Sequence, residues 1–296
     1  MAEIDTVAVV GCGLMGSGIA EVAARAGYDT IVREVDDERA ARGREAIERS
    51  LDRAVRKEKI AADERDAALD HISMTTELDD LAEADLVIEA IVEDVGAKNE
   101  LFGTLDELCG PDTIFASNTS SLTITGMAAA TERPDRMVGL HFFNPVPVMK
   151  LVEVVRTIAT SEETIDRAFA FARALGKEPV EARDNSGFIV NRLLVPYMLD
   201  AIRALEEGVG TIEDIDKGMV LGTAHPMGPF TLSDFVGNDT LYRIAEIMFE
   251  EYREKRFAPP PLLKRMVTMG YYGRKSGRGF YDYSGDQPMP MPLGLE

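Results

Sequence analysis

A histidine and a glutamate flank a proline-rich segment, and together they could perform general-base chemistry. His141 lies in the apolar run 137–143 and Glu153 in the run 149–155, with Asn144-Pro-Val-Pro147 between them. Proline fixes φ and lacks a donor N–H, so this segment cannot continue either strand. If the chain doubles back at the second proline, His141 and Glu153 become cross-strand neighbours. An imidazole held by a carboxylate is an oriented general base; the alternative is a structural pair at the end of a sheet.

A second chemical signal is the glycine-rich segment Gly11-Cys-Gly-Leu-Met-Gly16. A short apolar strand, residues 6–10, precedes it, a helical stretch to residue 26 follows, and the next apolar run ends at Glu34. This order of strand, glycine loop, helix, strand and acid is typical of a dinucleotide site. A glycine turn with no ligand is the alternative.

Each part of the glycine motif has a predicted role. Gly11 makes the tight turn, Gly13 lets the backbone approach the pyrophosphate, and Gly16 allows the helix to pack closely on the strand. We expect the whole loop, including Leu14 and Met15, to contact the cofactor at the helix N-terminus. The Glu34 carboxylate would bind the adenosine ribose and repel a 2′-phosphate, which favours NAD over NADP, although the adjacent Arg33 weakens this preference.

The following elements predict where the catalytic groups converge. Strand candidates at residues 72–74, 86–90 and 113–116, with a helix at 98–108, indicate a parallel sheet covered by helices on both faces. Ligands bind beyond the carboxyl ends of such strands. Polar groups follow three candidate strands, in segments 89–93, Ser117-Asn-Thr-Ser-Ser121 and 141–144. We expect them near the nicotinamide, although a serine-rich loop is also typical of a turn or helix cap.

The remaining pattern predicts a second, helical domain. Residues 36–69 form about two charged helices with the apolar stripe Ile47, Leu51 and Val55, and a helix at 162–175 and a strand at 179–181 complete the first domain. Further helices are predicted at residues 188–206, 212–221, 231–256 and 260–269, with a kink or local break at Pro196 and a strand at 280–283. We therefore predict a Rossmann-type α/β domain at 1–185, an all-helical domain at 186–284 and a loosely held tail at 285–296.

Composition excludes several classes of function. The net charge of −20, from 52 acidic and 32 basic residues, argues against binding to nucleic acid and to anionic membranes. No apolar run is long enough to span a membrane, and the N-terminus lacks the pattern of a signal peptide. Two cysteines in 296 residues indicate a reducing, cytoplasmic compartment. The acidic, lysine-poor surface suits either a salt-rich cytoplasm or an ordinary acidic protein.

Several motifs together resemble the L-3-hydroxyacyl-CoA dehydrogenase family, most closely its short single-function members, the 3-hydroxybutyryl-CoA dehydrogenases. The resemblance extends from Val7 to Tyr283. The motifs that carry it are Gly11-Cys-Gly-Leu-Met-Gly-Ser-Gly-Ile19, Ser117-Asn-Thr-Ser-Ser-Leu122, residues 139–154, Gly187-Phe-Ile-Val-Asn-Arg192, His225-Pro-Met-Gly-Pro229 and Gly273-Arg-Lys-Ser-Gly277. The sequence departs from the family at Ser186, where proline is frequent, and at Glu34, where aspartate is more frequent.

The resemblance implies a reaction and a set of residues. The reaction is reversible oxidation of a short-chain L-3-hydroxyacyl-CoA to the 3-oxoacyl-CoA with NAD, by a homodimer formed through the C-terminal domain and without a metal. The implied catalytic residues are His141, Glu153, Ser120 and Asn191. The implied NAD contacts beyond the glycine loop and Glu34 are Ala90, Glu93, Lys98, Asn118, Ser120, Asn144 and Lys275. Ser50, Lys57 and Ser120 would contact the acyl-CoA, whereas a solvated face is the alternative meaning of the basic residues near Lys57.

Two other functions remain open at this point. The same fold could host an NAD-dependent dehydrogenase of a 3-hydroxy acid that carries no coenzyme A. It could also serve as a non-catalytic NAD-binding protein, although the complete set of His141, Glu153, Ser120 and Asn191 argues against that.

Overall fold

The computed structural model describes residues 4–294. Its chain divides into two compact units, Met1–Phe188 and Ile189–Glu296. None of the helices within residues 4–294 is long and apolar enough to cross a bilayer.

The first unit is built on an eight-stranded sheet in the order β3-β2-β1-β4-β5-β6-β7-β8. The strands are β1 Thr6–Val10, β2 Asp29–Arg33, β3 Ile72–Thr75, β4 Leu86–Glu89, β5 Ile114–Ser117, β6 Met137–Phe142, β7 Leu151–Arg156 and β8 Glu178–Arg183. From β3 to β6 all neighbours are parallel, whereas β7 runs antiparallel to β6 and β8 parallel to β7. Because β1 has β2 on one side and β4 on the other, the strand order reverses there, which is where such sheets bind ligands.

Helices cover both faces of this sheet, as the sequence predicted. They are α1 Leu14–Arg25, α2 Asp37–Arg56, α3 Ala62–Asp70, α4 Val95–Leu108, α5 Ile124–Ala128 and α6 Glu162–Ala174. Alternate side chains of β1 enter different apolar cores, Val7 and Val9 on one face and Ala8 and Val10 on the other. Burial on both faces explains why these strands read as continuous apolar runs.

Helix α2 forms where its sequence predicts it. The Asp36 side chain accepts a hydrogen bond from Arg39 N at 2.7 Å and so caps the helix N-terminus. Ile47 and Leu51 of the predicted stripe are fully buried against the sheet, and Val55 packs on the same core. This packing fixes the position of the long charged helix beside α1.

The second unit is mostly helical around its own core. Its helices are α7 Val190–Glu206, α8 Ile212–Thr223, α9 Pro229–Val236, α10 Asn238–Tyr252 and α11 Pro261–Thr268. A short antiparallel ribbon of β9 Tyr281–Asp282 and β10 Met289–Pro290 completes this unit. The unit is therefore mostly helical and not all-helical, which corrects the sequence prediction. Leu199, Phe230 and Phe280 are among its fully buried residues.

The single helix predicted at residues 231–256 is wrong, because the chain breaks between α9 and α10 at Gly237. This residue has φ +104°, which L side chains rarely adopt. Just before the break, the Asp234 carboxylate accepts hydrogen bonds from Phe280 N and Tyr281 N, each at 2.9 Å. The turn therefore positions a carboxylate that holds the C-terminal ribbon.

Two further expectations for the second unit need correction. Helix α7 continues through Pro196 without the local break that the sequence suggested. Neighbouring buried residues such as Met198 and Leu199 hold it against the core, and this packing overrides the local preference. The tail after Ser284 is not loose throughout, since β10 pairs with β9 and Met291 N donates to Phe280 O at 2.9 Å; residues 295 and 296 of that predicted tail lie outside the described residues.

Candidate active site

The proline-containing turn brings His141 and Glu153 together as the sequence predicted. Strands β6 and β7 form an antiparallel pair whose register sets His141 directly opposite Glu153. The His141 Nδ1 to Glu153 Oε2 distance is 2.6 Å, and the two residues are 5% and 0% exposed. A carboxylate can only accept, so the neutral imidazole carries its proton on Nδ1 and its lone pair on Nε2. The pair is therefore arranged as a general base with a fixed tautomer.

Aromatic rings hold the imidazole in place. The Phe143 ring centroid lies 4.5 Å from that of His141, and the Phe188 centroid lies 5.5 Å away. Both contacts are tilted, which is a favourable geometry for neighbouring rings. The His141 ring thus packs against two aromatic rings while its Nδ1 faces the Glu153 carboxylate.

A buried lysine anchors the turn between β6 and β7. Lys177 Nζ donates to Val146 O at 2.5 Å and to Met149 O at 2.9 Å. Burial lowers the pKa of Lys177, and the nearby Arg25 charge lowers it further. On its other side the turn touches α1, since a Cβ at Gly18 would lie 2.8 Å from Val146 Cβ. Sequence reasoning missed this lysine because its partners are backbone carbonyls remote in sequence.

The loop after β5 is tied both to β6 and to Glu93. Asn118 Oδ1 accepts from Phe142 N at 2.9 Å, and Phe142 follows His141 directly in sequence. Glu93 Oε1 accepts from Ser120 N at 3.2 Å and also from the Thr119 hydroxyl. The structure thus joins Asn118, Ser120 and Glu93 at the carboxyl ends of the strands, where the sequence predicted that their segments converge.

A buried charge cluster lies at the same edge, and only part of it was predicted. Glu89, the last residue of β4, binds Lys98 Nζ through Oε1 at 2.5 Å and the Ser117 hydroxyl through Oε2 at 2.5 Å. Lys98 Nζ also lies 3.2 Å from Glu93 Oε2. Lys98 and Glu93 were expected here as cofactor contacts. Glu89 and Ser117 lie in polar segments that were predicted to converge here, but neither had a predicted individual role. The sequence signal that could have indicated them is Glu89 at the end of an apolar strand, since a buried acid needs polar partners. Ser117 on the next strand is in register with it.

The glycine loop borders a cleft of about 780 Å³ that also includes Glu34 and Ala90 in its lining. Any Cβ at Gly16 would lie 1.7 Å from Gly11 O, so only glycine permits this contact between helix and strand. Gly13, in contrast, has nothing within 4 Å of the position of a Cβ, which leaves its backbone approachable. These features match the requirements of a dinucleotide pyrophosphate.

Glu34 lines the cleft beside the glycine loop, where the sequence predicted a contact with the ribose. Its Oε1 accepts from Cys12 N at 2.6 Å and its Oε2 from Val35 N at 3.1 Å. These bonds fix a carboxylate beside the glycine loop, as a ribose contact requires. Burial, with the Glu34 charge adding to it, raises the pKa of Cys12 to about 12, so this thiol stays protonated and is not a nucleophile.

The remaining predicted residues lie outside these clusters. Met15 is in the first turn of α1 with the exposed Leu14, Asn144 is exposed in the hairpin turn, and Lys57 is exposed at the end of α2. Ser50, on α2, lines a small pocket together with Glu21. Asn191 and Lys275 belong to the second unit, where Asn191 lies in the first turn of α7 and Lys275 Nζ pairs with Asp239 at 2.6 Å. Their part in the site stays a prediction.

A reversed strand order, a glycine loop with its acid, and a carboxylate-held imidazole at the sheet edge define an NAD-dependent dehydrogenase. Comparison with known proteins agrees. The family models for the NAD binding domain and the C-terminal domain of 3-hydroxyacyl-CoA dehydrogenase match residues 6–185 and 187–283. The chain belongs to the 3-hydroxyacyl-CoA dehydrogenase family.

Individual relatives cover nearly the whole chain. A 3-hydroxybutyryl-CoA dehydrogenase of Mycobacterium tuberculosis is 55% identical over 282 residues, which are 95% of this chain and 99% of that protein. The crystal structure of M. tuberculosis FadB2 has a TM-score of 0.94 at 54% identity, covering 96% of this chain and 100% of that one. The (S)-3-hydroxybutyryl-CoA dehydrogenase PaaH1 of Ralstonia eutropha has a TM-score of 0.92 at 42% identity, with coverage of 96% and 100%. The similarity therefore includes both units.

Proposed function

We propose that this chain catalyses the reversible NAD-dependent oxidation of short-chain L-3-hydroxyacyl-CoA, such as 3-hydroxybutyryl-CoA, to 3-oxoacyl-CoA, with His141 as the general base. The observation that carries the proposal is the 2.6 Å contact between His141 Nδ1 and Glu153 Oε2 at the carboxyl end of β6. Family membership supports NAD as the cofactor, and the names of the relatives support the substrate.

The protein's own groups move the proton. In the oxidative direction, His141 Nε2 takes the proton of the 3-hydroxyl group, and the Glu153 carboxylate stabilises the resulting imidazolium. General-base assistance of this kind contributes about 10²–10⁴-fold in rate. Bound NAD supplies the hydride acceptor, the nicotinamide ring. Ser120 and Asn191 would donate hydrogen bonds that position the substrate oxygen and the imidazole.

The proposed cofactor contacts combine the cleft with its neighbours. The glycine loop would hold the pyrophosphate and Glu34 the ribose. The other proposed contacts are Leu14, Met15, Ala90, Glu93, Lys98, Asn118, Ser120, Asn144 and Lys275. For the acyl-CoA we propose Ser50, Lys57 and Ser120, with Lys57 offering a cation to a phosphate.

The second unit supports a role in association. Leu193 and Leu221 are large apolar side chains that are 66% and 73% exposed. Apolar side chains left exposed at such levels suit an interface between chains, and we propose a homodimer formed through this unit. Sedimentation as a single chain at micromolar concentration would contradict it. We place the enzyme in the cytoplasm, where its two buried free thiols, Cys12 and Cys109, stay reduced.

The direct test compares two substrates that differ only in the coenzyme. NADH consumption is followed with acetoacetyl-CoA and with acetoacetate at matched concentrations. We expect turnover with the thioester and a far smaller kcat/KM with the free acid. Preference for acetoacetate would instead identify a dehydrogenase of free 3-hydroxy acids, and no turnover with any 3-oxoacyl-CoA would indicate a non-catalytic NAD-binding protein. A series of 3-oxoacyl-CoA chain lengths then tests the short-chain assignment.

A further inference from the structure

A second pocket of the first unit lies outside the dinucleotide cleft. It measures about 320 Å³ and is lined by α1, α2 and the turn at residues 144–147. Arg49, Ser50 and Arg53 contribute from α2, so cations and a hydroxyl border it on one side. Asn144 in the opposite wall follows His141 by three residues in the chain. Because Lys177 anchors this turn, the wall has a fixed position.

A buried acid of α1, Glu21, also lines this pocket. Glu21 is 1% exposed, and within residues 4–294 its Oε1 has no hydrogen-bond partner. Arg25 NH1 forms an ion pair with Oε1 at 3.8 Å, which is beyond hydrogen-bond distance. A buried carboxyl oxygen without a donor costs free energy in the empty protein. A ligand that supplies a donor in this pocket would recover that cost.

We propose that Glu21 is a substrate-recognition residue whose Oε1 accepts a hydrogen bond from an amide N–H of the pantetheine arm of acyl-CoA. This inference rests on the proposed function. The arm carries two amide N–H groups, and a carboxylate oxygen is an acceptor that suits them. Arg53 on the neighbouring helix adds positive charge on the same side of the pocket, which suits the anionic remainder of coenzyme A. Arg49 beside it is paired with Glu45 at 3.0 Å. A free 3-hydroxy acid has no such N–H, so Glu21 would favour thioesters of coenzyme A over free acids.

A purely structural role explains the contacts of Glu21 less well. A buried carboxyl group that serves only the fold is expected to have both oxygens bonded. Replacing a partly satisfied buried charge by an apolar side chain of similar size is often neutral or stabilising. The structural role therefore predicts a Glu21→Met variant with unchanged substrate kinetics, whereas recognition predicts a specific loss.

The test measures KM and kcat of Glu21→Met, which removes the acceptor with little change in volume. We expect the KM for acetoacetyl-CoA to rise about tenfold, the ratio that corresponds to one hydrogen bond. The kcat and the KM for NADH should stay at the wild-type values. Glu21→Gln keeps a neutral acceptor, which is weaker than a charged one, so its KM should rise only about threefold. The control is Glu163→Met, an exposed acid in the first turn of α6 outside the pocket.

Truncated substrates identify the contacted group. Acetoacetyl-pantetheine retains both amides, whereas S-ethyl acetothioacetate has none. The penalties of Glu21→Met and Glu21→Gln should persist with the first compound and disappear with the second. Should Glu21→Met fail to fold, the same comparison with Glu21→Gln decides.

Two results would overturn the inference. A KM for acetoacetyl-CoA that does not change in the folded variants, with normal wild-type turnover, refutes the role of Glu21 alone. An equal penalty with S-ethyl acetothioacetate refutes it as well, because that compound has no amide. Wild-type protein that does not turn over acetoacetyl-CoA would overturn the proposed function and this inference with it.

Discussion

Replacement of Glu153 by glutamine tests the proton-transfer step directly. In the structure the Glu153 carboxylate is fully buried, and its Oε2 lies 2.6 Å from His141 Nδ1. Glu153→Gln keeps the shape of the side chain but removes the charge that faces the imidazolium formed during oxidation. Its amide can also donate to Nδ1, which would shift the ring proton to Nε2 and block the base.

The size of the effect follows from the geometry. Two unit charges about 4 Å apart attract by about 4 kcal/mol at an effective dielectric constant near 20. The variant loses this attraction only in states where the imidazole is charged. The loss therefore raises the activation free energy of the reaction. With about 1.36 kcal/mol for each factor of ten, the expected fall in kcat is about 10³-fold. The value lies within the range of about 10²–10⁴-fold that general-base catalysis supplies.

The assay separates chemistry from binding and folding. Steady-state kcat is measured from NADH consumption with saturating acetoacetyl-CoA, NADH affinity from fluorescence titration, and stability from thermal unfolding. The control is Glu181→Gln, a carboxylate on the neighbouring strand β8 that is 48% exposed and paired with Arg156; its kcat should not change. A folded Glu153→Gln that binds NADH and turns over within tenfold of wild type would refute the role of Glu153, and loss of the fold would show that the residue is mainly structural.

Four further changes have expected outcomes. His141→Gln should abolish turnover while fluorescence titration still detects NADH binding; retained turnover would contradict the base assignment. Glu34→Gln should lower the preference for NADH over NADPH in kcat/KM by about 10–100-fold, because the charge that repels the 2′-phosphate is lost. Arg39 and Arg42, which line a pocket beside Glu34, then remain to attract that phosphate. An unchanged ratio would argue against a ribose contact. Gly16→Ala should abolish NADH binding, since its Cβ would lie 1.7 Å from Gly11 O, whereas Gly126→Ala, with open space around it, should bind normally. Burial raises the pKa of the Glu21 carboxyl group. The favourable contribution of this group to the free energy of unfolding is therefore complete below the unfolded-state pKa and is lost as pH rises through the folded-state pKa. Glu21→Gln should therefore raise Tm relative to wild type at pH 8 but not at pH 4, and an equal difference at both values would contradict this.

Local patterns predict the parts of the fold that local rules control. The strands β1 and β2 and helix α1 follow from apolar runs separated by a glycine motif. The opposition of His141 and Glu153 follows from two apolar runs around a proline-containing turn, since the register of a hairpin depends on its turn. The break at Gly237 does not follow in this way. Its surroundings have a helical pattern, and the Asp234 carboxylate that helps to fix the break binds Phe280 N, which is 46 residues further along the chain.

The contact between His141 and Glu153 was predictable because both residues lie on adjacent strands, whereas the contacts of Glu21 and Lys177 were not. Each of these buried side chains faces an element that the sequence does not place beside it. Glu21 lines a pocket with Ser50 of α2, and Lys177 donates to carbonyls of the hairpin turn. Buried charges of this kind reduce stability unless every polar atom is satisfied. Lys177 Nζ donates to two backbone carbonyls of the turn, and its role is to hold that turn. Glu21 differs, because its Oε1 has no hydrogen-bond donor among residues 4–294. The same comparison that assigns Lys177 to the fold therefore assigns Glu21 to a ligand.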